Sequence, residues 1–157
     1  MKLHFHQIPM DSAPTTRISL VDVYGTPGSI ELLYNLLAER DPVANISHKT
    51  MPTMAEHFKL WRGRPYLDWM LIRERNGAEN HGGIVHGACY VSKQHEVGIQ
   101  IFKRSQGKGY AKEALTLLLE RHRGARLIAN VNPMNEVSAK LFRGFGFRLA
   151  QYTYCLE

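Results

Sequence analysis

The sequence predicts an α/β domain of the α+β type, in which a mixed, mostly antiparallel sheet of six or seven strands is flanked by about four helices. Segments typical of strands occur both before and after segments with helical spacing of apolar residues. The 157 residues are enough to bury one sizeable core. Because no linker rich in Pro, Gly or Ser divides the chain, we expect residues 1–157 to form a single domain.

The first third of the chain predicts one strand and two helices. Residues 17–24 alternate in polarity and are rich in β-branched side chains, which is typical of a strand. Residues 29–40 have the apolar spacing of an amphipathic helix, with Ser29 as the expected N-cap. Thr53 and Glu56 have the spacing of a capping box and predict the start of a second, short helix.

The middle of the chain predicts an antiparallel meander. Short polar turns separate three runs rich in apolar and β-branched residues, at 65–75, 83–93 and 96–103. Connections this short join neighbouring antiparallel strands.

The last third alternates between helices and strands. A Gly-rich turn leads into a helix that Gly124 is expected to end. An apolar run at 126–132 predicts a buried strand, 135–145 a helix, and 147–156 a closing strand. This alternation predicts crossover connections in the later part of the sheet.

The positive charge is confined to one part of the chain. Residues 101–150 contain ten basic and three acidic side chains, whereas the rest contains ten basic and eleven acidic ones. The surplus indicates an anionic ligand, either nucleic acid or a phosphorylated cofactor, and a solvated basic face is the alternative.

Composition excludes several classes of protein. The longest uncharged apolar runs have about seven residues, whereas a membrane-spanning helix needs about 20. Two cysteines are too few for a disulfide framework, and we expect Cys89 and Cys155 to be buried thiols in a reducing compartment. With no apolar secretory segment at the start, these features predict a cytoplasmic protein.

The Gly-rich turn at 106–111 lies between a predicted strand and a predicted helix. Glycines let a ligand approach the backbone closely, and the first amides of a helix have no intrahelical partner. Such a turn suits phosphate or pyrophosphate. A phosphate-binding loop of the Walker type would need Ser or Thr after Lys108, and a dinucleotide fingerprint would need a parallel unit, so neither fits.

Two motifs resemble those of GNAT-type acyl-CoA N-acetyltransferases. The first is Q-x-x-G-x-A at a strand-to-helix turn, formed by Gln106, Gly109 and Ala111. The second is an Asn, a small residue three positions later and a Gly-Phe pair, formed by Asn135, Ser138, Gly146 and Phe147. The motifs cover about residues 95–147, and the predicted element order extends the resemblance over almost the whole chain. The resemblance implies a GNAT-like fold and acetyl-CoA as co-substrate, with no metal.

The resemblance also implies where acetyl-CoA binds. The backbone of Ile99 and Ile101 would pair with the pantetheine arm, and an amide there, that of Ile99 above all, would polarise the acetyl carbonyl. Asn135, with Ser138, would contact the pantetheine or order the site. The backbone amides of the turn would hold the pyrophosphate; they belong to Gly107, Lys108, Gly109, Tyr110 and Ala111, with Gln106 beside them. The basic residues expected near the phosphates are Lys103, Arg104, Lys108 and Lys112.

The same resemblance suggests an acid and a base. Glu96 matches a position where the family often has a carboxylate that accepts the proton of the amine, directly or through water; a solvated turn residue is the alternative. His86, Tyr90 and His95 are weaker candidates. The family's usual tyrosine acid, seven residues after the motif Asn, is replaced by Phe142. Water, or Tyr152 or Tyr154, is the expected substitute.

Residues 39–72 resemble the corresponding region of small-molecule members of the family. This resemblance implies that the acceptor is a primary amine of a small molecule, such as an amino sugar or a nucleotide-linked amino sugar. Its predicted binding residues are Tyr24, Asn45, His48, Trp61 and Tyr66, with a core position as the alternative for Trp61. Alternative functions are N-terminal acetylation of a protein, as in the ribosomal-protein branch of the family, and a non-catalytic CoA-binding module. We expect neither nucleic acid nor a membrane as partner, and the sequence leaves a homodimer open.

Overall fold

The computed structural model describes residues 16–41, 50–75 and 82–156. Four strands and four α-helices form within these ranges, and a short 3₁₀ turn, Lys103–Ser105, precedes the Gly-rich loop. The strands are β1 (Ile18–Asp22), β2 (Tyr66–Glu74), β3 (Val85–Ser92) and β4 (Val97–Ile101). The helices are α1 (Ser29–Ala38), α2 (Met54–Arg62), α3 (Tyr110–Arg121) and α4 (Glu136–Gly144). None of the described helices is long and apolar enough to cross a membrane.

The four strands form one antiparallel sheet in the order β1-β2-β3-β4. The predicted meander of β2, β3 and β4 is confirmed by this order. Because side chains alternate between the two faces of a strand, each face of the sheet has its own apolar set.

Two core clusters cover the two faces of the sheet. On one face, sheet residues including Ile72 and Cys89 pack against Leu115 and Leu118 of α3 and against Phe142 of α4. On the other, residues including Leu71 and Trp69 pack against Leu33 and Leu36 of α1. The domain therefore has three layers, with α1 on one side of the sheet and α3 and α4 on the other.

The predicted number of strands is wrong for the described residues. In place of a strand at 126–132, Ile128 alone forms a parallel bridge with Glu96. Residues 147–156 form no strand, and Tyr152 and Tyr154 are 73% and 91% exposed. A strand needs a neighbour to pair with, and here the chain moves away from β4 after the bridge. The apolar pattern alone could not show this divergence.

Two local predictions have different outcomes. The capping box is confirmed: the Thr53 side chain accepts from the Glu56 amide at 3.2 Å, and the Thr53 amide donates to the Glu56 carboxylate at 2.7 Å. Ser29, however, is the first residue of α1 rather than its cap, because Gly28 takes the cap position.

Cys155 is exposed, so its predicted burial is wrong, whereas Cys89 is buried.

An ionic contact joins the end of α3 to β2. Asp68 accepts hydrogen bonds from Arg121 Nε at 2.8 Å and from His122 Nε2 at 3.0 Å. Burial by itself would raise the pKa of the Asp68 carboxyl, but the bonds from Arg121 and His122 outweigh it and hold that pKa below its ordinary value. The contact therefore favours the charged carboxylate and the folded state together.

Leu115→Ala should lower the free energy of unfolding by about 2 to 5 kcal/mol, because it leaves a cavity between α3 and the sheet. Leu115 is fully buried. Urea unfolding followed by circular dichroism measures the change. Thr116→Ala, one residue away on the exposed side of α3, should change stability by less than about 0.5 kcal/mol. Equal losses in the two variants would contradict the assigned packing.

Asp68→Asn should make stability less sensitive to acid. Since the folded-state pKa of Asp68 is lowered, its contribution is fully present above the ordinary value of 3.8 and is lost as pH falls through the lowered value. The urea midpoints of wild type and variant should therefore differ more at neutral pH than near pH 3. Glu136→Gln, which alters an exposed pair at 3.4 Å, should show almost no difference at either pH.

Candidate functional site

The outer side of β4 has an incomplete set of backbone partners. Hydrogen bonds of antiparallel strands alternate along each strand, and Phe102 N donates to His86 O of β3 at 2.8 Å. Every second residue of β4, namely those not bonded to β3, therefore directs its backbone amide and carbonyl away from β3. Val97 shows this direction, because its amide donates to Ile128 O at 2.7 Å across the parallel bridge.

Ile99 and Ile101 follow Val97 in the same alternation. Their backbone groups consequently point into the gap that opens after Ile128. The carbonyl of Ile101 accepts from Gln106 Nε2 at 3.1 Å, which ties the Gly-rich loop to the end of β4. The gap thus places the two predicted pantetheine-binding residues on an open strand edge, with the backbone of Ile99 at its centre.

A cavity of about 510 Å³ occupies this gap and extends under α1. That volume lies in the range of small-molecule sites. The strands supply one group of lining residues, among them Tyr66, Tyr90, Glu96, Gly98 and Ile99. The other sides come from α1 and its end (Leu33, Leu36, Leu37, Arg40), from α2 (His57, Leu60) and from the chain at 130–142.

The Gly-rich loop has a backbone shape that only glycine adopts readily. Gly107 and Gly109 have φ values of 72° and 87°, in the left-handed region. Gly109 caps the 12-residue helix α3 without a side-chain hydrogen bond. The amides of the first turn, including those of Tyr110 and Ala111, are therefore left for an external acceptor, where the helix dipole favours an anion.

Arg17 holds this loop from the side of β1. Its Nη2 donates to Lys108 O at 2.7 Å, and its Nε donates to Glu113 Oε1 at 2.6 Å. Its guanidinium also lies over the ring of Tyr110, 4.6 Å from the centroid. Sequence reasoning missed Arg17, since about ninety residues separate it from the loop and no motif includes it.

The predicted phosphate-binding cations differ in their surroundings. Arg104 lies over the Phe102 ring at 4.2 Å and donates to Val85 O at 2.8 Å. The Lys108 ammonium donates to Arg104 O at 3.0 Å. All four residues are exposed, but Arg104 and Lys108 also contact protein groups beside the loop.

Glu96 is half-buried and lines the cavity. Its Oε1 accepts from Asn130 Nδ2 at 2.9 Å, and its amide donates to Ser92 Oγ at 3.0 Å. The carboxylate is thus held at the mouth of the gap, near the point where Ile128 leaves the sheet. The weaker candidate His95 is exposed.

Asn135 and Ser138 line the cavity at the start of α4. Asn135 Oδ1 accepts from the Ser138 amide at 3.1 Å and so caps α4. Phe142, one turn further along, is buried and contacts Phe147 edge-on at 5.2 Å. Tyr152 and Tyr154 do not line this cavity.

Two tyrosines lie on the sheet side of the cavity. The rings of Tyr66 and Tyr90 are stacked, with centroids 4.1 Å apart and an interplanar angle of 19°. Burial raises the pKa of Tyr66 to about 12, and burial likewise raises the pKa of Tyr90. Both hydroxyls therefore keep their protons at neutral pH. Tyr66 was predicted as an acceptor-binding residue, whereas sequence reasoning gave Tyr90 little weight.

The other predicted acceptor residues are not in the cavity or not described. Tyr24 and Trp61 contact each other at 5.1 Å and pack against the core cluster on the α1 side, outside the cavity lining. Asn45 and His48 lie outside the described residues. Leu33, Leu36 and Leu37 line the cavity instead. Their spacing is that of an amphipathic helix, and this spacing does not distinguish a side chain that faces the core from one that lines a cavity at an open sheet edge.

No group of three or more potential metal ligands occurs within the described ranges. Two histidines there have other roles. His57 Nε2 is 3.1 Å from the carbonyl of Ile30, and His86 Nδ1 is 2.8 Å from Ser105 Oγ. His86 also stacks on Tyr110 at 3.8 Å, which supports the start of α3.

Known structures share this arrangement of helices and sheet. A domain from Methanocaldococcus jannaschii superimposes with a TM-score of 0.70 at 23% identity, over 87% of this chain and 91% of that chain. The structure of yncA of Salmonella typhimurium, solved with its cofactor acetyl-CoA, superimposes with a TM-score of 0.58 at 18% identity, over 83% of this chain and 78% of that chain. A mutant of the spermidine N-acetyltransferase SpeG of Vibrio cholerae superimposes with a TM-score of 0.62 at 15% identity, over 85% of this chain and 80% of that chain. At these identities the likeness shows the fold alone.

The sequence itself gives the closer assignment. No curated protein matches the chain. A family profile, however, described as the acetyltransferase (GNAT) domain, matches residues 24–148 and so includes every helix and strand from α1 to α4, whereas β1 lies just before the match. The open edge of β4, the glycine loop before α3 and this match agree with one another, and the chain belongs to the GNAT acetyltransferase family.

Proposed function

We propose that the protein transfers the acetyl group of acetyl-CoA to a primary amine of a small molecule, by direct attack of the amine on the thioester. One observation carries this proposal: the open backbone edge at Ile99 and the Glu96 carboxylate line the same cavity. Acetyl-CoA bound at this edge would therefore lie in the same cavity as the carboxylate that accepts the proton of the amine.

Acetyl-CoA would bind along β4 and at the start of α3. In this proposal the pantetheine arm adds to the edge of β4 as an extended chain, with Ile99 and the amide of Ile101 as partners. The amides from Gly107 to Ala111 take the pyrophosphate. The exposed Lys103 and Lys112 serve the phosphates more readily than Arg104 does, because Arg104 would first have to leave Val85 O.

The reaction needs a proton acceptor and an oxyanion donor. Glu96 takes the proton of the incoming ammonium, directly or through water, and the neutral nitrogen then attacks the acetyl carbon. The Ile99 amide stabilises the negative charge that develops on the carbonyl oxygen. The carbon–sulfur bond breaks, and CoA leaves as a thiolate.

The charges of the cavity favour an acceptor with one amine. Among the lining residues in the described part of the chain, Glu96 is the one carboxylate and Arg40 the one guanidinium. A polyamine such as spermidine has several ammonium groups, and each would need an anionic partner. Asn130 and Asn132 of the lining can hydrogen-bond to hydroxyl groups, and Tyr66 offers an aromatic edge. These features support an amino sugar or a nucleotide-linked amino sugar as acceptor.

A non-catalytic CoA-binding module is the second candidate. The observation that favours it is Phe142, which leaves α4 without the hydroxyl that the family usually has there. Such a module would bind acetyl-CoA and transfer no acetyl group. Release of free CoA in the presence of amines, amino sugars first and peptides afterwards, distinguishes the two functions.

Gly109→Trp should weaken acetyl-CoA binding at least about tenfold, because the indole would occupy the space that the pyrophosphate needs. Isothermal titration with acetyl-CoA measures the affinity. Gly124→Trp is the matched control: Gly124 has nearly the same φ, 88°, at the other end of α3, with no atom within 4 Å of an added Cβ. If Gly109→Trp is folded and binds as tightly as wild type, the loop does not hold the cofactor.

Glu96→Gln should lower the turnover number on the order of 10²-fold while leaving acetyl-CoA affinity within about twofold of wild type. The amide keeps the size of the carboxylate and its contact with Asn130 but cannot accept the proton of the amine. Initial rates across pH, together with titration, measure both effects. Glu120→Gln alters an exposed carboxylate of α3 and should leave the rate unchanged. Near wild-type rates for Glu96→Gln would exclude Glu96 as the base.

A further inference from the structure

The proposed reaction leaves a charge on the departing sulfur. A thiol has a pKa of about 8.5, so a thiolate released in a partly closed site gains from a nearby proton donor. Phe142 cannot supply the proton, and the exposed Tyr152 and Tyr154 lie outside the cavity. A side-chain donor, as opposed to water, would therefore have to come from another part of the cavity wall.

Tyr90 has a hydroxyl beside the open edge of β4. Tyr90 is paired with Gly98 across β3 and β4, and its ring lies on the face of Gly98 where a side chain would be. A Cβ added to Gly98 would be 2.1 Å from Tyr90 Cζ and 2.4 Å from its hydroxyl oxygen. The glycine thus lets the phenol cross β4 immediately before Ile99, the residue whose amide faces the thioester in the proposed reaction.

Neighbouring rings keep Tyr90 in this position. Tyr66 stacks on it at 4.1 Å, and Trp69 contacts Tyr66 edge-on at 4.8 Å. Tyr66, Trp69 and Tyr90 all line the cavity. A ring held between a stacked neighbour and a glycine backbone has few alternative rotamers, so the hydroxyl is preorganised.

We propose that the Tyr90 hydroxyl is the proton donor to the CoA thiolate, an inference that rests on the proposed function. As the carbon–sulfur bond breaks, its electron pair moves to sulfur and the phenolic proton is transferred to it, giving CoA thiol and Tyr90 phenolate. The amine nitrogen loses two protons in all. The first passes from the ammonium through Glu96 to solvent before the attack, and the second leaves the nitrogen as the amide forms and reaches the phenolate through Glu96 and water. The net products are the amide, CoA thiol and one proton released to solvent, with no other reactant.

The groups around Tyr90 keep its hydroxyl protonated before the reaction. Burial raises the pKa of its phenol; the positive charge of Arg40 opposes that rise and the negative charge of Glu96 adds to it. The hydroxyl therefore carries its proton when the reaction begins. Glu96 and Tyr90 lie on the same lining, so the carboxylate that gains a proton is close to the phenol that loses one.

The test compares Tyr90→Phe with Tyr34→Phe. Each variant loses one hydroxyl and keeps its ring, and Tyr34 lies on α1 outside the cavity lining, where its hydroxyl donates to Pro52 O at 3.0 Å. Single-turnover acetyl transfer, followed by the appearance of free CoA thiol, measures the chemical step with the best amine found for wild type. Isothermal titration measures acetyl-CoA affinity in the same samples.

Tyr90→Phe should lower the single-turnover rate about tenfold or more, with acetyl-CoA affinity within twofold of wild type, and Tyr34→Phe should stay close to the wild-type rate. A wild-type rate in Tyr90→Phe would overturn the inference. So would equal losses in the two variants, or a loss of affinity that parallels the loss of rate. Wild-type protein that binds acetyl-CoA yet transfers no acetyl group would instead contradict the proposed function.

Discussion

The structure depends on one constraint in the sheet, which is that β4 has a partner strand along one side only. A single parallel bridge joins Glu96 and Ile128, after which the two segments separate. Buried backbone amides and carbonyls need partners, so the separation creates both a cavity and a demand for hydrogen bonds along its edge. The pantetheine arm of acetyl-CoA has the amide groups that such an edge can bind. In the proposed function, acetyl-CoA would supply the partner that this edge of the sheet lacks.

The remaining parts of the site are positioned by both layers around this edge. The layer of α3 and α4 supplies the glycine loop and the cap of α4, whereas α1 and α2 supply the apolar wall and Arg40. Arg17 connects the start of β1 to the loop through Lys108 O and Glu113. Because the loop is thereby tied to the sheet, its amides are directed before any ligand arrives, which lowers the entropic cost of binding.

How much could be predicted from the sequence depended on the range of the interactions. The capping box of α2 and the β2–β4 meander were predicted correctly, because their signals lie within a few residues of each other. The strands expected at 126–132 and 147–156 were not found, since a strand needs a partner that the pattern does not contain. Resemblance placed Ile99 and Glu96 on the cavity. The sequence did not show that Tyr24 and Trp61 lie outside the cavity lining and pack against the core cluster on the α1 side, because an aromatic residue shows its size in a sequence but not the direction in which it packs.

The aromatic cluster on the α1 side of the sheet has a consequence for spectroscopy. Both tryptophans of the chain belong to it: Trp69 lines the cavity and touches Tyr66, and Trp61 touches Tyr24, which in turn meets Trp69 at 6.3 Å. The layer of α3 and α4 contains no tryptophan. Tryptophan fluorescence is therefore a selective reporter of the α1 side of the sheet, where Trp69 lines the cavity. Emission that changes with an amine, and changes little when the glycine loop is occupied, would separate the two halves of the site without any label.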